Sequence, residues 1–177
     1  MVEVINTNKK IIVLVATFFA LTMLIIPVMA VSPKKVPAIA ISIPAGPTGD
    51  PIKMWTTNGD VLQIREREAN YIMPLLKIGD DVYTGTSSNI YNAQGNLKTG
   101  ELKIHYDAIW TINEKDGGFK GKIQTSLTGW NPGPPVVYEN AIIHCVLHGF
   151  GEFEGWKLML TADYSVDFAW TGYCLKA

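Results

Sequence analysis

From residue 52 onward apolar and polar side chains alternate, most cleanly over residues 101–112. Leu102, Ile104, Tyr106, Ala108, Trp110 and Ile112 share one parity, while Glu101, Lys103, His105, Asp107 and Thr111 share the other. Successive side chains of a strand point to opposite faces, so this period of two predicts a strand with one buried and one wet face. Residues 113–118 (NEKDGG) supply turn chemistry, and Phe119, Gly121, Ile123, Thr125 and Leu127 then resume the alternation. The two segments predict a long hairpin. Residues 130–135 (WNPGPP) cannot serve a ladder and read as a loop. Beyond it Ala141, Ile143, Cys145 and Leu147 form one face, with Ile142, His144, Val146 and His148 on the other. Then Trp156, Leu158, Leu160, Ala162, Tyr164, Val166, Phe168, Trp170, Gly172 and Cys174 all fall on even positions. The buried parity changes where Gly149, Gly151 and Gly155 cluster, which predicts a bulge or tight bend.

Earlier segments repeat the pattern more weakly: residues 52–57, a turn at Asn58-Gly59, residues 61–67, and residues 82–91. Residues 66–78 (EREANYIMPLLKI) suit a short helix, cut by Pro74. Seven or eight strands joined by mostly short links favour a meander. The fold class is therefore all-β, a small antiparallel up-and-down β-barrel of about eight strands, with a sandwich as the open alternative.

Ahead of the strands, residues 11–31 (IIVLVATFFALTMLIIPVMAV) carry no charge and follow Lys9-Lys10. At ~1.5 Å per residue the run matches a bilayer core of roughly 30 Å, and its basic end should stay cytoplasmic. Val28-Met29-Ala30 also offers a signal-cleavage site behind Pro27. The expectation is one N-terminal hydrophobic helix, either a cleaved signal peptide or a retained membrane anchor formed by residues 11–31, delivering the rest to an extracytoplasmic location. Residues 32–51, with Pro33, Pro37, Pro44, Pro47 and Pro51, read as a Pro-rich linker whose patch 38–43 could add at most an edge strand. That leaves residues 52–177 as the barrel domain.

Charge narrows the function classes. Without residues 1–30, which hold Lys9, Lys10 and Glu3, the 15 basic and 16 acidic residues fall to 13 and 15, a net charge of −2. A scattered, slightly acidic surface argues against nucleic acid, whose phosphates call for clustered Lys and Arg. Two cysteines in an exported chain make Cys145–Cys174 a disulfide candidate, worth roughly 3–4 kcal/mol for a loop of about thirty residues. Two buried free thiols are the other reading. His144 and His148 have the spacing of a helical zinc pair, but on a strand they stand ~13 Å apart, so no metal site is assigned. No nucleophile motif or phosphate-binding loop occurs, and no cofactor is implied. Glu139, Glu152, Glu154, Asp163 and Asp167 all suit solvated strand faces, so a glycosidase pair has no support.

Aromatic residues carry the sharper signal. Tyr106, Trp110, Tyr164, Phe168 and Trp170 occupy inward parity and are candidates to line a ligand-holding lumen, where ring faces supply apolar area and Tyr and Trp supply polar tips. Residues 148–158 (HGFGEFEGWKL) resemble the glycine–aromatic signature of allene-oxide-cyclase-like barrels, the superfamily that includes dirigent-type proteins. The resemblance spans residues 82–174 at most and implies an eight-stranded barrel with an apolar lumen. Three functions follow as expectations: a module binding an apolar or amphipathic small molecule, a cyclase or isomerase, and an adhesive surface domain using Ile142 and Val146. The enzyme reading needs an ionisable group facing inward, and the alternation puts His105, His144 and His148 outward. Oligomeric state is not legible.

Overall fold

A computed structural model describes residues 32–46, 49–129, 140–164 and 169–177 of the 177-residue chain. Residues 11–31 and Phe168 are outside that set. Among the described residues no helix is long and apolar enough to cross a membrane.

The described residues form nine strands: β1 (Lys34–Pro44), β2 (Lys53–Thr57), β3 (Val61–Ile78), β4 (Asp81–Asn96), β5 (Glu101–Ile112), β6 (Gly117–Thr128), β7 (Asn140–Gly151), β8 (Lys157–Asp163) and β9 (Ala169–Lys176). All pair antiparallel in the order β1-β9-β8-β7-β6-β5-β4-β3-β2, and β1 also pairs with β3. Eight strands thereby close a barrel, and β2 is a short ninth beside the start of β3. Closure removes the sheet edges that an open meander of this length would expose.

The strand that completes the ring comes from the segment predicted as a linker. Val36, Ala38, Ala40 and Ser42 of β1 are all buried, so residues 34–44 belong to the barrel wall. The prolines fit because of where they fall. Pro37 precedes the first β1–β3 partner pair, Ala38 with Ile78, and its carbonyl accepts from Gly79 N at 2.8 Å. Its missing N–H faces that same side, so the β1–β9 ladder, which runs through the Pro37–Tyr173 pair, loses nothing. Pro44 is the last residue of the strand.

The helix suggested for residues 66–78 is also absent, because those residues continue β3. Two bulges hid the strand. One residue is inserted between the Ile64–Ala93 and Arg67–Tyr91 pairs, where Glu66 takes a φ of 52° and its N–H donates to Asn92 Oδ1. A second is inserted between Met73–Gly85 and Leu76–Tyr83, at Pro74. Each bulge flips the inward parity: Ile64, then Ala69 and Met73, then Leu76 and Ile78. The predicted turn after β2 does form, with Asn58 and Gly59 both at positive φ. The parity change near Gly149 is the β7–β8 turn.

Cys145 and Cys174 are both buried and both free, which corrects the disulfide expectation. Cys145 pairs with Leu160, Leu160 pairs with Gly172, and Cys174 pairs with Leu158. The two cysteines are thus separated by β8 and offset by two positions. At ~4.8 Å per strand and ~3.4 Å per residue, their Cα atoms stand roughly 12 Å apart. A bridge requires less than about 7 Å.

Inside the barrel two apolar clusters occupy the two ends. One includes Met73, Leu76, Ile78, Ile112, Phe119, Leu147 and Leu158, and is sealed by Phe153 from the β7–β8 turn. The Phe153 ring centroid is 5.0 Å from that of Phe119, 5.3 Å from Trp156 and 5.5 Å from Tyr83. The other gathers Ile64, Ala69, Tyr91, Ala93, Leu102, Leu127 and Ala141.

Candidate functional site

Between the clusters is a layer of mixed chemistry enclosing the interior cavity of interest. β5 brings Tyr106 and Trp110 inward four residues apart, β9 brings Trp170, and Tyr164 follows β8 directly; all four line the cavity. Four of the five aromatic candidates thus meet in one place, although alternation alone could not say that they share a level. The rings are held edge to face. Trp170 is 6.1 Å from Trp110 at 76° and 5.6 Å from Tyr164 at 79°.

Sequence reasoning missed the polar half of the lining: Ser42 on β1, Tyr71 on β3, and Ser87 and Asn89 on β4. Ser42 continues the inward parity of Val36, Ala38 and Ala40, and Ser87 and Asn89 share the parity of Tyr91 and Ala93. A small polar residue on an otherwise apolar parity was the available signal. Tyr71 had none, because it sits between the two bulges.

Hydrogen bonds fix this layer. Trp170 Nε1 donates to Ser42 Oγ at 2.9 Å, and Ser42 Oγ shares a 3.2 Å hydrogen bond with the Tyr164 hydroxyl. Across the lumen Asn89 Nδ2 donates to Ala69 O and to Ser87 Oγ, both at 2.9 Å, and Ser87 Oγ donates to Asn89 Oδ1 at 3.1 Å. Among the described residues no buried side-chain nitrogen or oxygen lacks a partner. Burial pushes the Tyr164 hydroxyl up to about 12, against the opposing pull of its Ser42 hydrogen bond. It is a neutral group at any ordinary pH.

The cavity volume is about 30 Å³, counted as the space open to the centre of a water molecule. It is a narrow slot. A water needs roughly 10–15 Å³ by this measure, so the resting slot has room for about two waters.

The remaining candidates are elsewhere. His105, His144 and His148 are exposed on the outer face, and His105, Gln124 and His144 stand abreast across β5, β6 and β7. Glu154 is exposed, and Glu152 pairs with Lys115 at 2.9 Å and accepts from Asp116 N. Glu139 and Asp167 fall outside the described residues. Ile142 is exposed on the outer wall and Val146 is half-buried. Both cysteines pack in the sealed half, where burial holds the Cys145 thiol well above the ordinary thiol range and lifts Cys174 to about 11, so neither supplies a thiolate. The glycine–aromatic stretch 148–158 covers the end of β7, the following turn and the start of β8.

No family model, curated protein or solved structure matches this chain.

Proposed function

We propose that the barrel is a binding module for a small apolar or amphipathic molecule, held in the central layer of its lumen. The observation that carries this reading is the composition of that layer. Tyr106, Trp110, Tyr164 and Trp170 converge with Ser42, Ser87 and Asn89 on one cavity between two apolar clusters. Apolar walls with a few placed polar groups are the general chemistry of small-molecule sites. The histidines that a proton-transfer enzyme could use are on the outer wall, so binding accounts for the lumen better than catalysis does. We place the domain on the extracytoplasmic side of a membrane, delivered by the apolar run 11–31. That part rests on sequence alone, and mass spectrometry of the mature N-terminus tests it. A start at Val31 means release, and an intact terminus means anchoring.

Binding is tested with the full-length chain in a ligand-observed NMR screen of small apolar and amphipathic fragments, run beside an Ile143→Phe variant. Ile143 lines the cavity and is 4% exposed. The larger ring should fill the slot and abolish the hits. A screen without hits, or hits that survive in a folded Ile143→Phe protein, would refute lumen binding.

A further inference from the structure

We infer that the lumen selects an uncharged ligand carrying a hydroxyl or N–H donor, and that Asn89 Oδ1 receives this donor. The inference rests on the binding reading above and assigns the ligand its chemical class.

Charge is the first criterion. The polar lining consists of Ser42, Tyr71, Ser87, Asn89, Tyr106 and Tyr164, with the Trp170 indole N–H. The described lining holds no carboxylate, ammonium, guanidinium or imidazole. An ion drawn into this slot loses its water and meets no counter-charge, a cost of several kcal/mol that neutral hydrogen bonds offset only in part. The clusters above and below are apolar, so an ionic group displaced along the barrel axis is no better placed.

The balance of donors and acceptors is the second. The Trp170 indole N–H is committed to Ser42. Both hydrogens of the Asn89 amide nitrogen are committed, one to Ala69 O and one to Ser87 Oγ. Asn89 Oδ1, in contrast, offers two lone pairs and takes a single hydrogen from Ser87. The Asn89 side chain therefore has acceptor capacity to spare and no donor to spare. Asn89 is 2% exposed, so bulk water does not compete for that lone pair. A ligand that donates gains a hydrogen bond there, and a ligand that only accepts leaves Oδ1 unsupplied.

The test uses four probes of four non-hydrogen atoms each, a size matched to a slot for about two waters: 2-propanol, acetone, acetate and isopropylammonium. Each is titrated into the full-length chain while the indole N–H signal of Trp170, assigned with Trp170→Phe, is followed by NMR. 2-Propanol should shift that signal saturably. Acetone should bind at least fivefold more weakly, and the two ions at least tenfold more weakly. Equal affinity for acetone would overturn the donor assignment, and equal affinity for either ion would overturn the charge selection; in both cases lumen binding survives. A flat response to all four probes would remove the binding reading itself and this inference with it.

Discussion

Phe153 is the residue on which closure of one barrel end depends, and its removal gives a sharp energetic test. Its side chain is 3% exposed, in a turn rather than a strand, against Phe119, Trp156 and Tyr83. Phe153→Ala deletes the ring from a packed cluster, a change that costs roughly 3–5 kcal/mol in protein cores. Three ring–ring contacts at ~0.5–1.5 kcal/mol each are part of that loss. The turn has little freedom to collapse into the space, because Gly149 holds it from beneath: a Cβ on Gly149 would stand 1.8 Å from Phe153 O. The cost should therefore be about 4 kcal/mol, a large share of a typical domain stability of roughly 5–15 kcal/mol. Guanidinium unfolding followed by tryptophan fluorescence measures it, with an unchanged slope certifying that the folded state stays compact. Phe150→Ala is the control. Phe150 is half-buried on the same hairpin with Lys120 Nζ 5.7 Å from its ring centroid, and its loss should cost about 1 kcal/mol or less. If Phe153→Ala cost no more than the control, the plugged end would be wrong.

The thiols give a direct check on the register. Without reductant the unfolded chain should react with two equivalents of Ellman's reagent and the native chain with essentially none, since both cysteines are buried and protonated; a thiol-free unfolded chain would restore the disulfide. Tyr164 gives a pH signature. Its folded value of about 12 exceeds the ordinary tyrosine value of about 10, so the unfolded chain releases this proton first. Its contribution is whole below pH 10 and is lost as pH rises toward 12, by roughly 2–3 kcal/mol. Tyr164→Phe should flatten the alkaline fall in unfolding midpoint by about that amount, and an unchanged slope would show that Tyr164 is not desolvated.

Strands β5 to β7 were legible because each keeps one parity from end to end, whereas residues 156–174 read as one even-numbered run that the structure divides into β8 and β9. Leu102 to Ile112 and Phe119 to Leu127 alternate without interruption, so the buried faces could be read directly. Where parity breaks, the reading broke with it. Bulges at Glu66 and Pro74 divide β3 into three short registers: residues 61–67 read as a strand, but the stretch beyond them took on a false helical look. β1 failed for another reason. Proline density is local evidence against a ladder, but whether a missing N–H matters depends on which partner runs beside it, and that is a property of the closed ring. The cysteines show the same limit: alternation put both on inner faces, yet only pairing across β8 revealed their offset.

The polar layer is the part of the barrel that folding alone does not require. The lumen is packed at both ends with branched aliphatic and aromatic groups, and Leu, Ile or Val at positions 42, 87 and 89 would extend that packing without desolvating a hydroxyl or an amide. Ser42, Ser87 and Asn89 instead remain 6%, 5% and 2% exposed. Burying such groups is tolerable only when every hydrogen bond is made, and a satisfied pair nets about 1 kcal/mol at best. A Leu side chain buried in the same place would contribute roughly 1.5–3 kcal/mol. These three positions therefore forgo stability to keep a polar surface facing a cavity. Each polar residue is wired to the wall that carries it: Ser42 to Trp170 and Tyr164, Asn89 to Ser87 and the Ala69 carbonyl. That wiring fixes the orientation of Ser42, Ser87 and Asn89 before anything enters, and a preorganised acceptor shielded from bulk water is what the proposed binding reading asks of this layer.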